Sequence, residues 1–333
     1  MAKFKSKLNL ESRHRLEEVI PLKTPFLIYL DPSSACNFKC EFCPSPFSTK
    51  EDYIKQTFNF ELYKKVIDDL KEFDDNIKML RFHKIGEPLL NKNIVNMVKY
   101  AKDSGKVNNI DMTTNGSLLT RDISEGLVNA GMTQINISIE GISSEQYKKY
   151  VHYDIDIDNL IENIKYLYSI KGDLEIIIKI PSNYLSEDDK QSFLDMFSQY
   201  CDRIFIENLS SIWPNFNIME KSKIINIDET KDQYNMGLKN YKVCTWPFYA
   251  ICVNSSGTVS PCALDWQEKL IVGDAKKQSL KEIWNSDKLN ELRIRFLKKE
   301  VENIDVCSTC GNLKYCQVDN IDDYAEEILK RML

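Results

Sequence analysis

Six short runs rich in β-branched and apolar residues, at 26–30, 79–83, 109–113, 134–139, 174–180 and 203–206, alternate with helical patterns near 60–73, 91–103, 120–130, 157–169 and 187–199. Strands separated by single helices must return across their own sheet, because a parallel connection needs a crossover. The rhythm predicts an α/β fold, a partial (β/α)6 TIM-like barrel of parallel strands that is curved and incompletely closed. In such folds ligands lie beyond the carboxyl ends of the strands. The unusual polar segments fall there: a cysteine loop after the first strand, Gly86-Glu87-Pro88 after the second, Thr114-Asn115-Gly116 after the third and Glu140-Gly141 after the fourth.

The rhythm stops near residue 210. The expected organisation is an amino-terminal extension at 1–23, the barrel at 24–210, a linker or insertion at 211–243, a small cysteine-rich domain at 244–318 and an amphipathic helix at 319–333. A chain of 333 residues can bury a core of that size. Its net charge of -6, with no dominant basic block, argues against generic nucleic-acid binding. No stretch of about 18 apolar residues spans a membrane and no secretory signal opens the chain, so the cytoplasm is expected.

Three of the ten cysteines, Cys36, Cys40 and Cys43, stand at C-x3-C-x2-C spacing; six lie between Cys244 and Cys316, and Cys201 stands apart. A cytoplasmic chain of this size needs no disulfide scaffold, so the grouping points to metal. Soft thiolates on one loop suit an iron–sulfur cluster or zinc. Three close ligands leave one iron of a [4Fe–4S] cluster open, whereas zinc needs a fourth ligand from His14, His83 or His152. At a barrel mouth an open iron has a use, and a structural zinc has no reason to be there.

With Phe42 placed just before the third cysteine, the loop resembles the signature of the radical S-adenosylmethionine superfamily. That resemblance implies a [4Fe–4S] cluster on Cys36, Cys40 and Cys43, with the amino and carboxylate groups of S-adenosylmethionine on the fourth iron. It also implies a 5′-deoxyadenosyl radical, and a flavodoxin or ferredoxin as electron donor. Gly86, Glu87 and Pro88 resemble the family's Gly-Gly-Glu-Pro motif, with Ile85 standing at the first glycine. Thr114, Asn115, Ser138 and Glu140 match segments where family members contact the cofactor. The resemblance covers roughly 24–210.

The later cysteines resemble the family's auxiliary-cluster extension, SPASM or its shortened twitch form. Two fully ligated clusters need eight cysteines; six are present, and Cys252 lies outside the usual spacing. One auxiliary [4Fe–4S] cluster is therefore expected, on Cys244, Cys262 and Cys310 with Cys307 or Cys316 as the fourth ligand. Two incompletely ligated clusters and a four-cysteine zinc site are the alternatives.

Lys179, Glu207 and Asn208 are polar residues ending apolar strands, and are the candidates for handling substrate. Trp213, Trp246, Phe248 and Trp266 are candidate pocket walls. Cys252 is the candidate hydrogen donor for an epimerase, while Cys201 reads as a buried structural thiol. The favoured reading is a radical oxidoreductase or epimerase acting at a carbinol carbon of a small sugar-, nucleotide-sugar- or aminocyclitol-like substrate. The alternative is a maturase for a ribosomally made peptide or protein side chain; only about 25 residues precede the first strand, little room for a leader-binding module.

Overall fold

The computed structural model describes residues 2–6, 13–222 and 227–333. Among these residues ten strands form one sheet: β1 Lys3–Phe4, β2 Leu27–Leu30, β3 Ile77–Phe82, β4 Val107–Thr114, β5 Gln134–Ser138, β6 Glu175–Pro181, β7 Arg203–Glu207, β8 Ala250–Val253, β9 Thr258–Ser260 and β10 Gly273–Asp274. Their order is β1-β7-β6-β5-β4-β3-β2-β8-β9-β10, and β2 to β7 are parallel neighbours throughout. This is the expected partial barrel, with its six strands within a few residues of the expected positions.

The crossover helices start where the sequence supplies caps. Asn59, Thr120, Asp156 and Ser186 each accept a hydrogen bond from a backbone N–H of the first turn, and Ser186 forms a reciprocal capping box with Asp189. Each such cap is worth about 1 kcal/mol. The helices cover the outer face of the sheet, where Ile28, Leu30, Ile110, Met112, Ile176, Ile178 and Ile180 join one continuous core.

The period of two in a strand sends the intervening residues to the other face. Those are Tyr29, Arg81, Asp111, Thr113, Asn136, Lys179 and Glu207, so the concave interior is polar. Parallel strands buried on both sides ordinarily read as continuous apolar runs, and this departure marks the interior as a place for a ligand.

The cysteine-rich region does not stand apart from the barrel. β8 pairs parallel to β2, from Leu27 opposite Ala250 to Leu30 opposite Val253. A tight turn at Gly257, whose φ of 88° suits glycine, leads into antiparallel β9. The barrel stays open because the outer edge of β7 is taken by β1. Segment 228–243 lies along that side: Asn235 donates to the Ile206 carbonyl (2.8 Å), and the Gln233 N–H donates to the Tyr315 carbonyl (3.0 Å).

Several boundaries differ from the sequence reading. The expected amino-terminal extension contributes Leu16 and Ile20 to the core. The final helix covers Ala325–Met332, while Asp319 is an ion-pair partner of Arg13. No described helix is long and apolar enough to cross a membrane.

Because β8 belongs to the barrel's sheet, the two halves should unfold together. Ile251→Ala empties a fully buried position on β8 and is expected to cost about 2–5 kcal/mol. In urea, far-ultraviolet dichroism and tryptophan fluorescence should move together to a lower midpoint; a separate early transition of the cysteine-rich half would contradict the shared sheet.

Candidate active site

The loop carrying Cys36, Cys40 and Cys43 leaves the carboxyl end of β2 and is held by its neighbours' backbones. A side chain at Gly86 would lie 2.0 Å from the Ser33 carbonyl oxygen and 2.4 Å from that of Ala35, so only glycine lets the turn after β3 approach the loop. The adjacent Glu87 N–H donates to the Ala35 carbonyl (2.9 Å). Beyond it, the Glu87 carboxylate accepts from the Thr114 hydroxyl (2.6 Å), the Asn115 N–H (2.8 Å) and the Leu89 N–H (2.9 Å). Burial raises its pKa to about 7 against those three donors. Glu87 thus ties the ends of β3 and β4 together.

Asn115 extends the tie to the cysteines. Its side-chain amide donates to the Asn37 side-chain amide oxygen (3.0 Å), and the Asn37 amide nitrogen in turn donates to the Ser117 hydroxyl (2.8 Å). Burial raises the thiol pKa values of Cys36 to about 11 and Cys43 to about 12, and that of Cys40 well above the usual range. The three sulfurs lie within electrostatic reach of one another. The donor set fits a cluster with one open iron. Among the described residues no three His, Cys, Asp or Glu side chains converge as ligands of a single metal ion would. His152 instead faces Glu41 at 3.4 Å.

At the end of β5, Glu140 is buried and its pKa rises to about 8, chiefly from burial, with Glu207 adding to the rise and Lys179 opposing it. Lys179 is ion-paired with Glu207. The Tyr184 hydroxyl donates to the Glu140 carbonyl (3.1 Å) and lies 3.3 Å from its carboxylate. The Tyr184 ring stacks near Phe42 and packs on Tyr150. Ser138 pairs with Lys179 across β5 and β6. Deeper in the barrel, the Thr113 hydroxyl and the Asn136 side-chain amide oxygen are buried without a hydrogen-bond partner among the described residues, and these two residues are register neighbours. Arg81 and Asp111 form a buried ion pair below them.

Ile85, the departure from the family pattern, packs with Tyr53, Phe216, Ile218 and Trp266, and Phe42, Cys43 and Trp213 border the group. The wall beside the cluster loop is therefore apolar and is supplied by both halves of the chain. Trp213 and Trp266 are brought to this wall, and Trp246 stacks on Tyr29 at 5.1 Å. Phe248 is not a pocket wall: it is 2% exposed and belongs to the main core. Asn208 is also withdrawn from the substrate, because its amide is spent on the carbonyls of Asp228 (3.1 Å) and Lys231 (3.2 Å). Cys201 is a buried core residue donating to the Phe197 carbonyl.

In the cysteine-rich half, Cys244, Cys262, Cys307 and Cys310 line one small, largely apolar void with Trp246, Leu264 and Phe296. Cys316 lines a different cavity beneath the sheet. Cys252 is fully buried on β8 opposite Tyr29, with its thiol 3.8 Å from the Asn254 amide oxygen.

The two halves are joined by a buried polar chain that local sequence patterns did not reveal. Lys84, just after β3, donates to the Asn254 amide oxygen (2.6 Å) and sits 3.7 Å from Glu268. Asn254 donates to Ser260 (3.1 Å), and Ser260 donates to Asp265 (2.9 Å), three residues beyond Cys262. Tyr184 was missed as well, although its place after β6 continues the series of polar strand ends.

Comparison with known proteins decides the family. Residues 30–184 match the radical SAM superfamily, and residues 244–311 match the iron–sulfur cluster-binding domain SPASM. The chain is a radical SAM enzyme with a SPASM domain. As such it uses S-adenosylmethionine and [4Fe–4S] clusters.

Among curated relatives, this radical SAM enzyme is 29% identical over 213 residues to GTP 3′,8-cyclase of Aliarcobacter butzleri, covering 62% of this chain and 61% of that one. It is 38% identical over 130 residues to a probable GTP 3′,8-cyclase of Saccharolobus islandicus, covering 39% of each. It thus spans less than two thirds of the length of either relative. Over 339 residues it is 22% identical to the tungsten-containing aldehyde ferredoxin oxidoreductase cofactor-modifying protein of Pyrococcus furiosus, covering 88% of this chain and 90% of that one. Similar solved structures share the fold. They include anSMEcpe with bound AdoMet (TM-score 0.63, 16% identity, 92% of this chain and 97% of that one) and BtrN with AdoMet and 2-DOIA (0.56, 18%, 89% and 97%). Streptococcus suis SuiB bound to precursor peptide SuiA is another (0.62, 16%, 84% and 69%).

Two outcomes test the site's construction. Gly86→Ala should prevent the cluster loop from seating, and iron per chain after anaerobic reconstitution should fall by about half or more; full loading would show that the close approach is dispensable. Burial raises the Asp31 pKa from 3.8 to about 6 against the pull of Lys84. The folded state therefore binds that proton more tightly, and stability declines as pH rises between about 4 and 6. Asp31→Asn should make that decline shallower in urea midpoints measured across the same window.

Proposed function

We propose that the chain abstracts a hydrogen atom from a small polar metabolite and carries out oxidation or epimerisation at a carbinol carbon. The observation that carries this reading is the polar interior of the barrel next to the cysteine loop, where Lys179 and Glu207 pair and Thr113 and Asn136 present unpartnered polar atoms. Buried polar groups are normally satisfied, so a bound molecule with hydroxyl groups is the natural partner. Cys36, Cys40 and Cys43 are assigned to the cluster that binds S-adenosylmethionine. Gly86, Glu87, Pro88, Thr114, Asn115, Ser138, Glu140 and Phe42 surround the cofactor, with Glu87 acting by positioning the turn after β4. Cys244, Cys262, Cys307 and Cys310 are assigned to one auxiliary cluster, because these four line a common void.

When bound, these groups supply a 5′-deoxyadenosyl radical that removes a hydrogen atom and, at the auxiliary site, an acceptor for one electron. The protein's own side chains orient the substrate. Lys179 donates to a substrate hydroxyl, holding its carbon in near contact with the radical, while Glu207 accepts the hydroxyl proton when a carbonyl forms. In the epimerisation branch Cys252 returns a hydrogen atom, and the thiyl radical left behind would be restored by one electron from a reduced auxiliary cluster and one proton from solvent; burial raises its thiol pKa well above the ordinary value, which keeps the hydrogen in place. A flavodoxin or ferredoxin supplies the initiating electron.

The relatives' names span nucleotide, cofactor and peptide chemistry. Peptide modification is the second reading, and the exposed apolar side chains Phe47, Ile54 and Met219 favour it, since such side chains can receive a peptide.

Anaerobic reconstitution separates these assignments. About eight irons per chain indicate one auxiliary cluster and roughly twelve indicate two. Dithionite reduction should yield 5′-deoxyadenosine, and Cys36→Ala should abolish it. Zinc loading with no cleavage would defeat the radical reading. Lys179→Met and Glu207→Gln should each lower turnover by about 100-fold while substrate-independent cleavage of S-adenosylmethionine persists. Loss of two hydrogens from a metabolite marks oxidation and solvent deuterium in an unoxidised product marks epimerisation, whereas a mass change on a peptide would favour the second reading.

A further inference from the structure

A cavity of about 920 Å³ opens at the amino ends of the strands, at the end of the barrel opposite the cysteine loop. Leu27, Gln134, Glu175 and Arg203, the first residues of β2, β5, β6 and β7, lie on its wall. Its volume is at the upper end for small-molecule sites, larger than one sugar ring requires.

The walls have a definite chemistry. Trp246 stacks on Tyr29, and Tyr234 and Tyr249 add two more rings. Tyr234 comes from the segment beside the barrel's open side and lies within electrostatic reach of Tyr29, Arg81 and Glu207. Among the described residues six Lys and Arg side chains line the cavity against three Asp and Glu, in a chain whose net charge is -6; Arg13 is paired with Asp319 and Arg203 with Glu175. Arg81 forms the inner end, with one guanidinium nitrogen donating to the Tyr29 hydroxyl (3.2 Å). Arg13 and Lys78 stand at the outer end, Lys78 over the Phe26 ring at 3.5 Å.

Aromatic faces beside clustered cations suit a ligand that carries both a flat ring and negative charge. A cationic aminocyclitol would meet like charge here. From Glu175 at the cavity wall to Lys179 is four residues of β6, about 13 Å, so a ligand seated below can extend toward the Lys179–Glu207 pair.

We propose that this cavity binds a nucleoside phosphate, its base on the Trp246–Tyr29 wall and its phosphates on Arg81, Arg13 and Lys78. The ligand is either a free nucleotide or the nucleotide end of a nucleotide-sugar substrate. The second source rests on the small-metabolite reading above.

The test is anaerobic calorimetric titration of the reconstituted enzyme, saturated with S-adenosylmethionine, using UDP, UDP-glucose, GTP, inorganic pyrophosphate and 2-deoxystreptamine. At least one nucleotide should bind tenfold or more tightly than pyrophosphate, with 2-deoxystreptamine weaker than either, and its affinity should fall as salt rises. Trp246→Leu should bring nucleotide affinity down to that of pyrophosphate. Lys78→Ala, at the rim and away from the clusters, should weaken every phosphate probe severalfold and remains informative if Trp246→Leu fails to fold. UDP-glucose binding tenfold above UDP identifies the substrate's own nucleotide, and equal binding identifies a free nucleotide. Nucleotides no tighter than pyrophosphate, or binding indifferent to Lys78→Ala, would overturn the inference. An enzyme that cleaves S-adenosylmethionine yet binds no nucleotide loses this inference alone; one that binds nucleotide without cleavage loses the radical reading instead.

Discussion

One buried carboxylate organises the carboxyl edge of this sheet. Glu87 takes three hydrogen bonds, two of them from Thr114 and Asn115 at the end of the next strand. Its neighbour Gly86 lies against the backbone that leads into Cys36. Removing one partner from a satisfied buried group leaves the other unsatisfied, at a cost of about 1–3 kcal/mol. The strand ends, the asparagine bridge and the cysteine loop are consequently fixed as one unit. A cluster held on Cys36, Cys40 and Cys43, as proposed, would have no fourth protein ligand to correct its position, so the rigidity of that unit would determine where chemistry occurs.

The interior of the barrel shows the opposite balance. Arg81 with Asp111 and Lys179 with Glu207 bring ion pairs into a space where desolvation offsets much of their attraction. An apolar filling would serve stability at least as well. Their presence is better explained by what they meet than by what they stabilise, and the unpartnered Thr113 and Asn136 atoms support the same view. Stability is supplied on the other face, where alternate residues of the same strands pack under the helices.

Local patterns made much of this legible. Short β-branched and apolar runs alternating with helical patterns located the six barrel strands, and motifs at successive strand ends located the cofactor candidates. Cysteine spacing selected Cys244, Cys262 and Cys310 and left open whether Cys307 or Cys316 was the fourth; Cys307 lines the same void as those three. Long-range pairing left no such local trace. Nothing in the run around residue 250 indicates that it lies parallel to β2, and nothing near Lys84 indicates Asn254 as its partner. Asn208 looked like a substrate residue because it is polar at a strand end; its amide is occupied by carbonyls some 20 residues later. Phe248 counts among the candidate pocket aromatics as an aromatic residue near the second domain, whereas the structure buries it in the main core.

The pairing of β2 with β8 also bears on molecular traffic. A cysteine-rich module tethered by a linker could swing aside to admit a substrate. Here such a swing would break a ladder of main-chain hydrogen bonds and expose a raw strand edge, the kind of surface that invites aggregation. Entry and exit must therefore use loop movements or the amino-end opening, and neither half is a free-standing part that lineages could exchange without repairing that seam.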